Sequence, residues 1–132
     1  MRKRLRNNMS DQLETMFELR ERFMNRLSQK IPNSYPERPI NLRNKNHQQH
    51  VRDMALRGVE EMFEALQHLK NWKPHRVTEV ADFNKDEFLE EIVDAFNYFF
   101  SVLVLAGVSA EDLYDAYVKK DAKIHDRLDK NY

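Results

Sequence analysis

Hydrophobic residues recur along this chain at the three- and four-residue spacing of a helix, and the pattern falls into four segments. The first carries Leu13, Met16, Phe17, Phe23, Met24 and Leu27 on one side, which predicts a helix from a Ser10–Asp11 cap to about Lys30. Arg20 stands in the middle of that stripe, where a leucine would fit the pattern. Either it buries its stem and sends its head to water, or it turns inward to meet a ligand or a carboxylate. The second segment predicts a helix from Asn44 to about Lys70, with Val51, Met54, Ala55, Val59, Met62, Phe63, Leu66 and Leu69 on its apolar side. Gly58 lies inside it at a cost of about 1 kcal/mol relative to alanine, which implies close packing against a neighbour. Its polar side carries Asp53, Arg57, Glu60, Glu61, Glu64 and His68.

The third segment runs from an Asn84 cap, with Glu87 three residues on, to Gly107 in the left-handed position that ends helices. On a helical wheel Phe88, Leu89, Ile92, Phe96, Phe99 and Leu103 share one side, and Glu91 and Asp94 stand about 60° apart on the other. From Phe99 onward apolar residues point in nearly every direction, so that half reads as buried all round. The two acids therefore look inward at the threshold of a helical core, where uncompensated charge costs several kcal/mol or more. Such carboxylates need cations. Ser109 with Asp112 forms a capping box that opens the fourth helix. Its stripe begins with Leu113, Ala116 and Tyr117 and continues as Lys120, Lys123 and Arg127. That change either complements the helix dipole or faces something negative. Between these segments, Pro32, Pro36 and Pro39 make a stiff loop around Tyr35, and Trp72 to Phe83 forms a second loop stopped by Pro74.

The chain of 132 residues is expected to form one all-α domain, a bundle of four to five helices, with residues 1–9 as a flexible basic tail. Two glycines, four prolines and 33% charged residues agree with that class. The 22 acidic and 22 basic residues balance, so no global charge draws the chain to nucleic acid or acidic lipid. With no cysteine, disulfides, thiolate zinc sites and cysteine nucleophiles are excluded, and a reducing cytosol fits. The Arg-rich start lacks the apolar segment of a signal peptide, and the run Phe99 to Val108 is too short to span a bilayer. A cytoplasmic protein without nucleic-acid or membrane partners is expected.

Two helices thus offer carboxylates at helical spacing: Glu60, Glu61 and Glu64 on the second, Glu90, Glu91 and Asp94 on the third. Either cluster alone reads as an ordinary solvated face. Together they can hold Mg²⁺ or Mn²⁺, hard cations that prefer oxygen ligands. A metal held by acids binds phosphates, and the downstream Lys/Arg stripe neutralises the remaining charge. That combination suits nucleoside triphosphate hydrolysis. His47 and His50, at i and i+3, have metal-ligand spacing but read better as surface histidines on a polar helix start. With so few glycines there is no phosphate-cradling loop, so P-loop and Rossmann readings are excluded.

The pair E61-M-F-E64 and E91-I-V-D94 resembles the ExxE…ExxD signature of the all-α NTP pyrophosphohydrolases, the group of MazG-like enzymes and dimeric dUTPases. L69-K-N-W-K73 is similar to the FKxW stretch of the dimeric dUTPases, and G107-V-S-A-E-D-L-Y-D-A-Y-V-K-K120 resembles their GxxxEELYxxYxxK. The closing D121-AKIHDRLDKNY132 is similar to their terminal NxxNxxRQDxGY. The likeness covers roughly residues 50 to 132 and is greatest to phage dUTPases and dCTPase–dUTPases.

The resemblance implies a homodimeric helical enzyme that cleaves a deoxynucleoside triphosphate, dUTP or dCTP foremost, between its α- and β-phosphates. Nucleoside monophosphate and pyrophosphate would be the products. By motif, Glu61, Glu64, Glu91 and Asp94 would ligate Mg²⁺ or Mn²⁺, with Glu61 and Glu64 catalytic and Glu61 preferred for activating the attacking water. Lys120 and Arg127 would contact phosphates, and Lys70, Trp72, Asn97 and Tyr132 would lie near the substrate. The chain departs from the family where Asp121 and Ile124 replace common asparagines and Asn97 replaces a frequent histidine. Arg20 stands where the family tends to carry a base-reading glutamine. A guanidinium presents only donors where an amide offers both donor and acceptor, which opens the choice of base to another pyrimidine or guanine. Two further readings are a broader MazG-like enzyme for non-standard nucleotides and a catalytically silent helical interaction module.

Overall fold

The computed structural model describes residues 2–80 and 82–130, with side chains of the first helix from Gln12 onward. Among them stand four helices and no strand: α1 (Arg2–Lys30), α2 (Lys45–Leu66), α3 (Lys85–Leu105) and α4 (Ala110–Asp129). The protein is all-α. The chain divides into two compact units, one of Met1–Pro39 with Leu103–Tyr132, the other Ile40–Val102. No single helix among the described residues is long and apolar enough to cross a membrane.

Within the first unit, α1 packs on α4. Phe17 and Met24 of α1 are buried, with Leu13, Arg20 and Leu27 half-buried along the same line. The helix starts at Arg2 and not at Ser10–Asp11, because nothing between Arg2 and Met9 breaks a helix and arginine, leucine and methionine favour one. The side chains of Ser10 and Asp11 lie outside the described residues. At the other end of the unit, Gly107 has φ 75°, and Val108 N–H donates to the Leu103 carbonyl (2.9 Å). The predicted capping box then opens α4: Asp112 N–H donates to Ser109 Oγ (3.0 Å) and Ser109 N–H to Asp112 Oδ2 (3.1 Å).

The second unit is built on α2 and α3. The Asn44 side chain accepts from the N–H groups of Asn46 (2.9 Å) and His47 (3.2 Å), which sets the start of α2. His47 joins this start to the preceding loop. Its Nδ1 accepts the N–H of Asn41 (2.9 Å), while Gln48 Nε2 donates to the Leu42 carbonyl (2.6 Å), tying the preceding loop to the first turn. Partial burial holds the His50 imidazole below its ordinary pKa, with Asp53 opposing and Arg57 and His47 adding to the shift. Asn84 Oδ1 accepts Glu87 N–H (3.1 Å) at the start of α3, as its sequence position predicts.

The two helices run antiparallel, because contacts that advance along α2 retreat along α3. A methyl group placed at Gly58 would lie 3.0 Å from the Phe99 ring and 3.2 Å from Tyr98 Cβ. Further along, Glu61 and Glu64 meet Glu91, and at the end His68 meets Phe88. Ala65 and Ala95 are fully buried. Small residues at positions 58, 65 and 95 let the helix axes approach closely. The burial differs from the sequence expectation on both helices, since Val59, Phe63 and Leu66 of the expected α2 stripe are exposed. Leu89 and Phe96, expected on the apolar core side, are 53% and 49% exposed, while Ala95 takes the inner line with Phe88, Glu91, Ile92 and Phe99 half-buried beside it.

Candidate functional site

Glu61 and Glu64 stand one turn apart near the C-terminal end of α2, and Glu91 meets them from α3. One carboxylate oxygen from each lies within 4.8 Å of the others. The close approach at Gly58 brings them together, since three acids on two helices separated by large side chains would stand further apart. Glu61 and Glu91 are half-buried and Glu64 is exposed, so the triad has a protein side and an open side.

This gathering of negative charge leaves a trace on Glu61. Its carboxyl is held above the ordinary glutamate range, first by partial burial. Next come Glu64, through charge and a shared hydrogen bond, and then the charges of Asp94 and Glu91. A cation at the triad would relieve all these unfavourable interactions. Oxygens around Mg²⁺ sit about 2.0–2.1 Å from the ion, so opposite ligands are about 4.2 Å apart. The three glutamates fit such an ion after a small closing movement, and their hard oxygen donors match it.

Asp94 is near enough to act on Glu61 but stands outside the triad among the described residues. It is exposed and lines an open groove of about 510 Å³ with Asp86, Leu89, Glu90 and Val93. The other predicted site residues fall in several places. Asn97 is half-buried on α3, and its carbonyl accepts a hydrogen bond from the buried Ser101 hydroxyl (2.9 Å). Lys70 and Trp72 lie exposed in the loop after α2, where the Lys73 ammonium stands 6.0 Å from the Trp72 ring centroid. Arg20 lies on α1. It is half-buried and its guanidinium stacks 4.6 Å from the Phe23 ring centroid, a favourable cation–π arrangement.

Lys120 and Arg127 are exposed on α4 in the first unit. Neighbouring charges on that helix pair off, Lys130 with Asp126 (3.1 Å) and His125, when protonated, with Asp121 (3.6 Å). Among the described residues Lys120, Lys123 and Arg127 make no ion pair and remain open to an anion. Tyr132 lies outside the described residues.

Sequence reasoning misses the rest of the surroundings. It places His68 only on the polar side of α2. In the structure the His68 ring stands edge-on to Phe88 (6.5 Å between centroids, 61°), and Phe88 meets Phe83 (5.4 Å). Asn71 adopts φ 62° and its side-chain amide donates to the Glu79 carbonyl (2.7 Å), closing the neck of the loop. The Leu69-to-Phe83 stretch carries the turn signals for this, but not the partner.

An all-α chain that presents three glutamates from two antiparallel helices, one oxygen of each within 4.8 Å of the others, has the build of a helical protein with a candidate divalent-cation site. The family model described as dUTPase matches residues 39–132, which takes in all of α2, α3 and α4, and the chain belongs to this all-α dUTPase family. No curated protein and no solved structure matches it.

Proposed function

We propose that the protein is a Mg²⁺-dependent deoxynucleoside triphosphate pyrophosphohydrolase that acts on dUTP, dCTP or both and works as a homodimer. The observation that carries this is the meeting of Glu61, Glu64 and Glu91 within 4.8 Å in a chain of the dUTPase family. Glu61, Glu64 and Glu91 would hold the ion, with Asp94 joining from the groove side; Mn²⁺ has the same ligand preference. A divalent ion there supplies positive charge against the phosphates and acidifies water.

The chain's own residues do the remainder. Glu61, whose carboxyl already favours a proton, accepts one from the attacking water as its oxygen bonds to the α-phosphorus. The bond from that phosphorus to the bridging oxygen breaks, and pyrophosphate leaves with its electron pair. Glu64, one turn along α2, would hold the ion beside Glu61. Lys120 and Arg127, exposed on α4 and without an ion pair among the described residues, are the cations we assign to an anion. Lys70, Trp72, Asn97 and Tyr132 contact the rest of the substrate. Arg20, whose guanidinium carbon lies 4.6 Å from the Phe23 ring centroid, is the residue we assign to reading the base.

A second copy is supported by apolar surface. Leu56, Val59, Phe63 and Leu66 recur along α2 at helical spacing and are 52%, 42%, 62% and 45% exposed. Incubation with each dNTP and Mg²⁺, followed by pyrophosphate release, tests the function. Preference for dUTP or dCTP is expected; equal turnover of every dNTP would favour a broad nucleotide-cleansing enzyme, and no turnover would refute the hydrolase.

A further inference from the structure

We propose that His68 is a substrate-contacting residue, its ring N–H donating a hydrogen bond to the nucleoside-side phosphate; the inference rests on the hydrolase reading above. His68 follows Glu61 and Glu64 at i+7 and i+4, so the three share one side of α2. The helix proper ends at Leu66, but Gln67, His68 and Leu69 each donate to the carbonyl three residues back (3.2, 3.1 and 3.0 Å). The path of the backbone therefore carries the row of side chains one turn beyond Glu64 and two beyond Glu61, at about 5.4 Å per turn.

On α3 the same step runs from Glu91 to Phe88, and the His68 ring is set edge-on against the Phe88 ring at 6.5 Å. The imidazole thus packs edge-on against Phe88, in line with the triad on both helices. It is half-buried, and among the described residues no hydrogen bond or ion pair engages its ring nitrogens. A neutral imidazole has one N–H to give. Two and four residues later come Lys70 and Trp72, the side chains read as substrate contacts. His68 therefore lies between the acids, which would hold the phosphate tail through the ion, and the loop that would meet the nucleoside. The α-phosphate, the last phosphate before the nucleoside, can turn an oxygen into that interval while its phosphorus stays within reach of the acids.

The test is calorimetric binding, in Mg²⁺, of three kinds of probe: the α,β-imido analogues of dUTP and dCTP, the monophosphates dUMP and dCMP, and pyrophosphate. His68→Phe keeps the aromatic contact with Phe88 and removes the donor. Since hydrogen bonds to charged groups contribute about 1.5–3 kcal/mol, this variant is expected to bind analogue and monophosphate about 10- to 100-fold more weakly. Its affinity for pyrophosphate and for Mn²⁺ alone should be unchanged, as should its melting temperature. His68→Gln, which restores a donor, should recover most of the loss. If His68→Phe does not fold, His68→Leu gives the same comparison.

Wild-type affinity for the monophosphate in the donor-less variants would overturn the proposal. So would an equal loss for pyrophosphate, which would mean that His68 acts through the acids. A wild-type protein that binds the analogue yet turns over no dNTP would end the hydrolysis reading while leaving His68 decided by the variants. A wild-type protein that binds no nucleotide would end both.

Discussion

Glu61 binds its proton more tightly than an ordinary glutamate because burial and three neighbouring acids disfavour its charge. The folded state therefore holds more protons than the unfolded one between the ordinary glutamate pKa and the raised value of Glu61. The sign follows from linkage. In the metal-free protein this residue is least unfavourable at or below the ordinary glutamate pKa, and stability falls as pH rises through the raised value. Urea unfolding in chelator across about pH 4 to 8 should show that slope, and Glu61→Gln should flatten it. Mg²⁺ should reverse it, because an ion held by the ionised triad would compete with the proton. The same substitution separates stability from function. Glu61→Gln removes a repelled charge and should raise the melting temperature of the metal-free protein, while lowering kcat by about 10²- to 10⁴-fold as a lost general base does. A variant that melted lower and still turned over substrate would contradict both roles.

At the scale of elements, the α2–α3 seam decides whether the acids meet. A valine at Gly58 would put its branches where even a Cβ stands 3.0 Å from the Phe99 ring. Gly58→Val should destabilise the protein by about 1–3 kcal/mol, the usual cost of overpacking, measured by chemical denaturation. Because the helices must part to accept it, affinity for Mn²⁺ should fall as well; unchanged affinity would mean that the triad does not depend on the seam. Much of this level is legible in the sequence. Ser109 with Asp112, Asn84 before α3 and Gly107 after it are local rules, satisfied by a few adjacent residues, and the structure obeys them. Gly58 signals close approach for the same reason.

The C-terminal end of α2 is not legible. Lys70 continues the helical pattern, but Gln67 to Leu69 tighten into turns and Asn71 goes left-handed, fastened by Glu79 eight residues away. Nor does periodicity reveal which side of α3 faces α2. It shows that an apolar side exists, not which neighbour covers it, so Leu89 and Phe96 read as core while Glu91 and Ala95 face the partner helix. The acids at 61, 64 and 91 stand out because i, i+3 spacing survives in any register. Asp94 groups with them by the same spacing, yet it lies on the exposed side of that turn.

For the whole molecule, the exposed apolar rows are the informative feature. Leu56, Val59, Phe63 and Leu66 on α2 would lie against water in a lone chain, and burying such side chains contributes about 1.5–3 kcal/mol each. A second copy is the proposed cover. Leu56→Glu places a charge in the row without touching the acids, and should shift the mass measured by light scattering from dimer to monomer. An unchanged mass would place the interface elsewhere. Nothing in the α2 sequence separates this row from a core stripe, since a surface covered by a second copy has the same composition as one covered by the chain itself.

The proposed catalysis turns on Glu91 meeting Glu61 and Glu64 from the other helix. Pyrophosphate release from dUTP and dCTP by Glu91→Gln at saturating Mg²⁺, set beside the wild type, tests this most directly. The wild type should release pyrophosphate, and the variant should lose at least about 100-fold in kcat/KM while its helical circular dichroism stays the same. A variant that is folded and as active as the wild type would contradict it.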